Sequence, residues 1–250
     1  MELTCLNCGK AFEGLYCPQC GQKASVKRLT FASLVGEVVH FFTHLEHGFL
    51  YTTYCFLRQP GVSSLEYVEG KRNRYQKPVS YFLIWTGLYI LLHNYIIDAR
   101  HFQFTDIIIS EMNLQEQSNL LFRKHFTLFI LPVIFLSALI LYLFLGRPRY
   151  NYIEILTLSL YGAGTYFMLS LVSDLMLGVV LGINILKLEV FLWQLGLSGV
   201  YNFWFTYDFF QRKKLRFFWL RLIGASVAIG AAGWLVMFYL PLAWVYFRIH

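Results

Sequence analysis

Four cysteines near the N-terminus have the residue type and the spacing to hold a metal ion. Cys5 and Cys8 form one Cys-x2-Cys pair, Cys17 and Cys20 form a second, and a glycine follows each pair directly. Two intervening residues let both thiolates of a pair reach one ion, and four thiolates in a tetrahedron suit Zn²⁺. The glycines permit the tight turn that directs backbone N–H groups at the sulfur atoms. We therefore predict a zinc ribbon over residues 1–25, with iron in the same site or a pair of disulfides as alternatives.

The ribbon allows a structural and a functional interpretation. A module of this length has almost no core, so a metal would supply its folding free energy. Four cysteine ligands leave no coordination position open, which argues against zinc catalysis. The functional interpretation is a docking module for a cytoplasmic protein. Nucleic acid is a weaker alternative, because the module and the residues just after it offer few cations, namely Lys10, Lys23, Lys27 and Arg28.

Long apolar segments elsewhere in the chain predict a helical membrane protein. Of the 250 residues, 57% are hydrophobic and only 14% are charged, whereas about a quarter of the residues of a soluble domain are charged. We predict an all-α polytopic membrane protein with about five transmembrane helices of the necessary length, an interfacial amphipathic helix and the small N-terminal ribbon. The predicted spans are residues 79–97, 126–145, 153–183, 188–210 and 217–247. The third is longer than a bilayer requires, so it is tilted or breaks near Gly178 or Gly182.

Residues 26–78 separate the ribbon from the predicted transmembrane bundle, residues 79–250. From Phe31 to Phe49, apolar residues recur at helical spacing and predict an amphipathic helix of roughly 25 residues that lies on the membrane interface. A Gln-Pro-Gly sequence ends it. The polar face of this helix carries Glu37, His40, His44 and His47. These side chains are weak candidates for a second metal site, with a solvated polar face as the alternative.

A basic segment, residues 70–77, directly precedes the first predicted span. It contains the four cations Lys71, Arg72, Arg74 and Lys77. Cations at this depth attract anionic headgroups by about 1 kcal/mol each. We predict that these residues bind anionic lipid headgroups or phosphate, with the ordinary basic flank of a membrane span as the alternative.

The distribution of Lys and Arg predicts the orientation of the spans. The first 25 residues lack the apolar segment of a secretion signal, so we expect the N-terminus to stay in the cytoplasm. The inside segments are then residues 1–78, 146–152 and 211–216. They carry fifteen Lys and Arg, and the outside segments carry five. The excess predicts a cytoplasmic N-terminus and a C-terminus on the outside.

Ionisable residues in apolar segments are candidates for function, because charges are costly in lipid. Those in or near the predicted spans are His93, Glu154, Asp174, Glu189, Asp208 and Arg221. Asp174 is the most interior of them if the third span is a single helix. Arg221 would extend to the interface or pair with Asp208. We predict Asp174 and Arg221 as intramembrane functional residues, and we interpret Gln194 as an interhelical hydrogen-bonding residue.

Several short motifs occur in a fixed order in the first part of the chain. They include the two Cys-x2-Cys-Gly pairs, Cys20-Gly21-Gln22, Gly48-Phe49-Leu50, Arg58-x-Pro60-Gly61 and Tyr67-x2-Gly70-Lys71-Arg72. Together they resemble the bacterial domain-of-unknown-function family numbered 3667, which is found largely in Bacteroidetes. The resemblance covers roughly residues 1–85 and implies a bacterial inner-membrane protein. It implies no activity.

Three classes of function are compatible with these features. The first is a non-enzymatic accessory or scaffold subunit of an inner-membrane assembly, whose ribbon recruits a cytoplasmic protein. The second is a small transporter or channel component, working as an oligomer, which requires Asp174 or Arg221 to face a hydrated cavity. The third is an intramembrane lipid-modifying enzyme, in which the histidines and the basic segment converge on one pocket. We favour the first, and we expect its partners to be anionic lipid and either another protein or further copies of the chain.

Overall fold

The structure combines a small N-terminal module with a bundle of helices. It is a computed structural model that describes residues 3–26, 28–34, 48–101, 126–211 and 216–249. The module contains two short antiparallel strands, β1 (Leu3–Thr4) and β2 (Ala11–Phe12). The helices that follow are α1 (Phe49–Arg58), α2 (Pro60–Val68), α3 (Pro78–Ala99), α4 (Phe126–Leu141), α5 (Tyr152–Asp174), α6 (Leu188–Phe210) and α7 (Phe218–Ile249). Two of them, α4 and α5, continue into π-helical turns at Tyr142–Gly146 and Leu175–Val180.

Four helical segments of the described chain are long and apolar enough to cross a membrane. They are Pro78–Ala99, Phe129–Gly146, Tyr152–Val180 and Phe218–Val236. These segments confirm the predicted class of helical membrane protein and correspond to predicted spans one, two, three and five. The fourth predicted span is present as α6, whose 23 residues extend about 35 Å at ~1.5 Å per residue. It carries tryptophan, tyrosine and amide side chains and is not among the four candidate spans of the described chain.

The third predicted span is a single long helical segment at the centre of the bundle. It continues through π-helical turns and ends just before Gly182, whose φ of 65° is left-handed. The helices α3 and α4 pack along it. More than half of this span is buried, 56%, compared with 17% in the spans of α3 and of α7. The outer helices therefore present most of their apolar surface to the surroundings, as helices in contact with lipid do.

The predicted amphipathic helix is not continuous across its whole length. Gly48 has a left-handed backbone, with φ of 108°, so α1 begins anew at Phe49. The candidates for a second metal site lie outside the described residues, and that site stays a prediction; they are Glu37, His40, His44 and His47. The helix does end at the predicted Gln-Pro-Gly sequence. Pro60 then opens α2, a helix that was not predicted from the sequence. Proline is well tolerated at the first position of a helix.

Both short helices share the core of the bundle. Phe56 of α1 is fully buried, and its ring stacks on Tyr161 of α5 with 4.3 Å between the centroids. The Tyr201 hydroxyl of α6 donates a hydrogen bond to the Phe56 carbonyl at 3.0 Å. The Tyr161 hydroxyl donates to the Gln76 carbonyl at 2.6 Å. Because these hydroxyls satisfy carbonyls of the preceding segment, the chain before α3 is held against α5 and α6.

A very close approach joins α2 to α6. The Asp208 carboxylate accepts hydrogen bonds from the backbone N–H groups of Gly61 at 2.9 Å and Val62 at 3.3 Å. N–H groups in the first turn of a helix have no partner within that helix, so Asp208 caps α2 from outside. A Cβ atom at position 61 would lie 2.2 Å from the Phe209 nitrogen, which excludes any larger residue. Asp208 therefore caps the N-terminus of α2 and does not pair with Arg221.

Candidate functional site

The four predicted cysteine ligands converge in the N-terminal module. Their sulfur atoms all lie within 4.8 Å of one another. The Sγ atoms of Cys5 and Cys20 are 3.5 Å apart, and those of Cys8 and Cys17 are 3.6 Å apart. Tetrahedral coordination with metal–sulfur bonds of about 2.3 Å separates the sulfur atoms by about 3.8 Å, whereas a disulfide requires about 2.05 Å. The cysteines are free, and the donor set fits one metal ion.

The two cysteine pairs have the same local structure. In each, the glycine donates its backbone N–H to the carbonyl of the first cysteine, at 2.9 Å for Gly9 and 2.8 Å for Gly21. Both glycines are left-handed, with φ of 77° and 73°, which other residues rarely adopt. Burial raises the pKa of the Cys17 thiol, but the N–H groups of Cys20 and Gln19 outweigh burial and lower the pKa to about 7. The turn therefore favours the thiolate, the form that binds metal, at Cys17. At Cys8 the Lys10 backbone N–H lowers the pKa, but burial and the neighbouring cysteine side chains outweigh it and raise the pKa to about 12.

One glutamine fixes the ribbon to the loop between α2 and α3. Gln22 is only 5% exposed. Its Nε2 donates to the Gly70 carbonyl at 3.0 Å, and its Oε1 accepts from the N–H groups of Arg72 at 3.1 Å and Asn73 at 3.2 Å. The Asn73 side chain donates in turn to the Cys20 carbonyl. The cysteine cluster and the basic segment are therefore one structural unit.

An ion pair joins the chain after the ribbon to the start of α5. The Arg28 guanidinium donates to both carboxylate oxygens of Glu154, at 2.7 Å and 2.9 Å. Glu154 is 4% exposed and also accepts from the N–H of Asn151, as part of a capping box. Such a bidentate, fully hydrogen-bonded arrangement compensates the desolvation of a buried carboxylate. Glu154, predicted as an ionisable residue of span three, thus has a structural role.

Two cations of the basic segment share one carboxylate. Glu66 of α2 accepts from Lys71 Nζ at 3.0 Å, from Arg74 Nη2 at 2.7 Å and from the Tyr75 hydroxyl at 2.6 Å. Burial opposes the ionisation of Glu66, but the Tyr75 hydrogen bond and the two cations outweigh burial and hold the pKa of this carboxyl below its ordinary value. Glu66 was not among the residues predicted from the sequence, although an acidic residue so close to a run of cations is a usable signal.

The other two predicted cations occupy different surroundings. Arg72 Nε donates to the Tyr67 carbonyl at 3.1 Å, and its guanidinium lies over the Tyr67 ring. Lys77 is the residue that immediately precedes α3. The structure thus gives internal partners to Lys71, Arg72 and Arg74, and headgroup binding by this segment stays a prediction.

The predicted intramembrane residue Asp174 forms a polar cluster with two other helices. It is fully buried at the end of α5. One carboxylate oxygen lies 2.7 Å from Nδ1 of His93 in α3, and Gln194 Nε2 of α6 donates to the other oxygen at 2.7 Å. The Tyr89 ring stacks on the His93 ring. Arg221 is not part of this cluster and lines a groove beside the π-helical end of α4.

Residues 46–90 match the model of a family described as "Protein of unknown function (DUF3667)". The match confirms the predicted resemblance, over a shorter range than the motifs suggested. It covers α1, α2, the basic segment and the first part of α3, which together hold the contacts to the ribbon and to α6. No curated protein and no solved structure matches the chain.

Proposed function

We propose that this protein is a non-enzymatic accessory or scaffold subunit of an assembly in the bacterial inner membrane, with a cytoplasmic ribbon that docks another protein. The observation that carries this proposal is an apolar tip on a ribbon that is fixed to the helices. Leu15 and Tyr16 lie between the two cysteine pairs and are 76% and 60% exposed. Large apolar side chains displayed on so small a module favour contact with a protein partner.

The fixed position of the ribbon supports a docking role. Gln22 and Asn73 hold it against the basic segment, and the Arg28–Glu154 pair holds the following residues against α5. A surface that is already ordered loses less conformational freedom when it binds. A partner on the ribbon would therefore be placed at a defined position beside the membrane helices.

The docking role is tested by changing the tip of the ribbon. The double variant Leu15→Ser/Tyr16→Ser is expected to lose proteins that co-purify with the wild type in mild detergent. The matched control is Leu50→Ser/Tyr54→Ser on α1, where the two residues are 78% and 55% exposed. Equal amounts of metal in all three proteins show that the ribbon is intact. Retention of the same partners by the tip variant would mean that they dock elsewhere.

We further propose that the bound metal is zinc and that it stabilises the ribbon. A set of four cysteine ligands suits Zn²⁺, and the buried apolar core of this module consists only, among the described residues, of Cys5, Phe12 and Cys17. Elemental analysis is expected to find about one zinc per chain, with none in Cys5→Ser/Cys17→Ser. Iron in place of zinc, or zinc that survives the double substitution, contradicts this assignment.

The Asp174 cluster favours a second candidate function, a small transporter or channel component, in which the fully buried carboxylate would exchange protons through His93 and not directly with a hydrated cavity. A buried carboxylate paired with a histidine inside membrane helices is an arrangement that proton pathways use. In liposomes that contain the protein and a pH-sensitive dye, Asp174→Asn is expected to abolish proton flux. Glu189→Gln, at the start of α6 and outside the cluster, is the control. If liposomes that contain the wild-type protein show the same proton flux as empty liposomes, this candidate function is excluded.

A further inference from the structure

A groove with two arginines lies between the end of α4 and the start of α7. Its volume is about 740 Å³, and it is lined by Tyr142, Leu143, Phe144, Arg147, Pro148 and Arg221. The first three belong to the π-helical turns that end α4, and Arg221 lies in the first turn of α7. Gly224 of α7 faces the ring of Phe144, so the two helical segments meet closely at the base of the groove.

The two arginines of the groove differ from the other cations near this end of the bundle. Arg28 pairs with Glu154, and Lys71 and Arg74 both pair with Glu66. Within the described part of the chain, neither Arg147 nor Arg221 forms an ion pair with a carboxylate. The Arg147 guanidinium lies over the Tyr142 ring, 5.2 Å from its centroid. The groove therefore presents two positive charges that no acidic side chain of its lining neutralises.

The remainder of the lining is apolar and exposed. Leu143 and Phe144 are 52% and 39% exposed, on a segment that is apolar enough to cross a membrane. Arg221 is the fourth residue of α7, about 5 Å along the helix at ~1.5 Å per residue. Both guanidiniums thus lie where the apolar segments of α4 and α7 end, which is the depth of lipid headgroups.

We propose that this groove binds one anionic phospholipid. Arginine forks bind phosphate oxygens in a bidentate manner, so Arg147 and Arg221 would hold the phosphate, which carries the negative charge of the lipid. Leu143 and Phe144 would contact the acyl chains. A zwitterionic lipid would bind more weakly, because the groove lining provides no carboxylate for its amine. This site is distinct from the basic segment, and it does not depend on the docking role of the ribbon.

The test measures how much phosphatidylglycerol, relative to phosphatidylcholine, the purified full-length protein retains in detergent, by native mass spectrometry. Arg147→Gln/Arg221→Gln is expected to weaken phosphatidylglycerol binding about twenty-five-fold, because each cation near an anionic surface contributes about fivefold. The control Arg58→Gln/Arg216→Gln removes two exposed arginines outside the groove and should bind like the wild type. The proposal is overturned if both double variants lose phosphatidylglycerol binding equally, or if neither of them loses it.

Two further measurements keep the test decisive. Arg147→Lys/Arg221→Lys preserves the charges and should retain most of the binding, which separates charge from folding. On the wild type, a photoactivatable phosphatidylglycerol should label residues 142–148. Labelling confined to other segments overturns the proposal even if the glutamine variant fails to fold. Displacement of the lipid by low-millimolar inorganic phosphate would show a site for the free anion and would also overturn it.

Discussion

At the scale of single residues, Gln22 joins a metal module to a membrane bundle. Its side-chain amide offers a donor and a two-fold acceptor to one carbonyl and two N–H groups of the basic segment. Those backbone groups require partners once the ribbon covers them. A carboxamide is suited to this position because it satisfies all three without adding a charge.

The first prediction concerns this residue. Gln22→Ala leaves the Asn73 N–H without its partner, while the Gly70 carbonyl and the Arg72 N–H keep only their mutual hydrogen bond at 3.0 Å. The expected cost is about 2 kcal/mol. The ribbon should remain folded around its metal but separate more often from the loop. Hydrogen exchange at the amides of Arg72 and Asn73 should therefore become faster. Gln19→Ala, an exposed glutamine of the same module, should leave their exchange unchanged. If the Arg72 and Asn73 amides exchanged equally slowly in both variants, contacts other than those of Gln22 would hold the ribbon.

The second prediction concerns Glu66 and pH. Because the folded protein lowers the pKa of Glu66, its contacts contribute fully above the unfolded-state pKa of about 4.3. That contribution is lost as pH falls through the still lower folded-state pKa. Glu66→Gln should melt at a lower temperature than the wild type at about pH 7, and the difference should shrink toward about pH 3. The same difference at both pH values would contradict the role given to the carboxylate. Glu189→Gln serves as the control.

The metal ligands were easier to predict from the sequence than the hydrogen-bond and ion-pair partners of the ionisable residues. The cysteines lie close together and repeat one spacing, so local geometry alone predicts their convergence. His93 and Asp174 are separated by 81 positions, and Arg28 and Glu154 by 126. No periodicity connects residues at such distances, because their contact depends on how the helices pack. The ionisable residues were therefore recognised individually, while their pairing came from the structure.

At the scale of elements, the long apolar helices were predictable because a membrane leaves few alternatives to a helix of about 20 residues. The interruption at Gly48 was not. A Cβ atom there would lie 2.8 Å from the Arg74 carbonyl oxygen, so the break depends on a contact with a distant part of the chain. The helix α2 was missed for a related reason. Its burial comes from α6, and its own sequence is short and only partly apolar.

The third prediction concerns the contact between α2 and α6. Gly61→Ala would place a methyl group against the backbone of Phe209 and displace the Asp208 cap, at a cost of about 3 kcal/mol. The melting temperature in detergent should fall by several degrees. Gly196→Ala in α6 is the control, since a Cβ atom there meets nothing within 4 Å, and it should be neutral or slightly stabilising. If Gly61→Ala and the wild type had equal melting temperatures, α2 would be able to move away from Phe209 without a loss of stability.

At the scale of the whole molecule, the number of crossings decides where the C-terminus lies. If α6 crosses with the four strongly apolar segments, the two ends of the chain lie on opposite sides of the membrane. The distribution of Lys and Arg then predicts the N-terminus inside and the C-terminus outside. We expect an alkaline phosphatase fused after residue 250 to be active and one inserted in residues 211–216 to be inactive. The reverse pattern would refute this topology, because it is produced either by an α6 that does not cross or by a bundle with the N-terminus outside.

The two contacts that hold the ribbon also fix an order of events during synthesis. The ribbon is translated before both of its partners, and the carbonyl that accepts from Gln22 follows 48 residues later. The carboxylate that receives Arg28 follows 126 residues later, at the start of α5. A nascent chain therefore carries its cysteine module unattached until α3 is about to enter the membrane, and the second attachment waits for the third span. A chain truncated between residues 74 and 153 keeps the Gln22 attachment but lacks the Arg28–Glu154 pair.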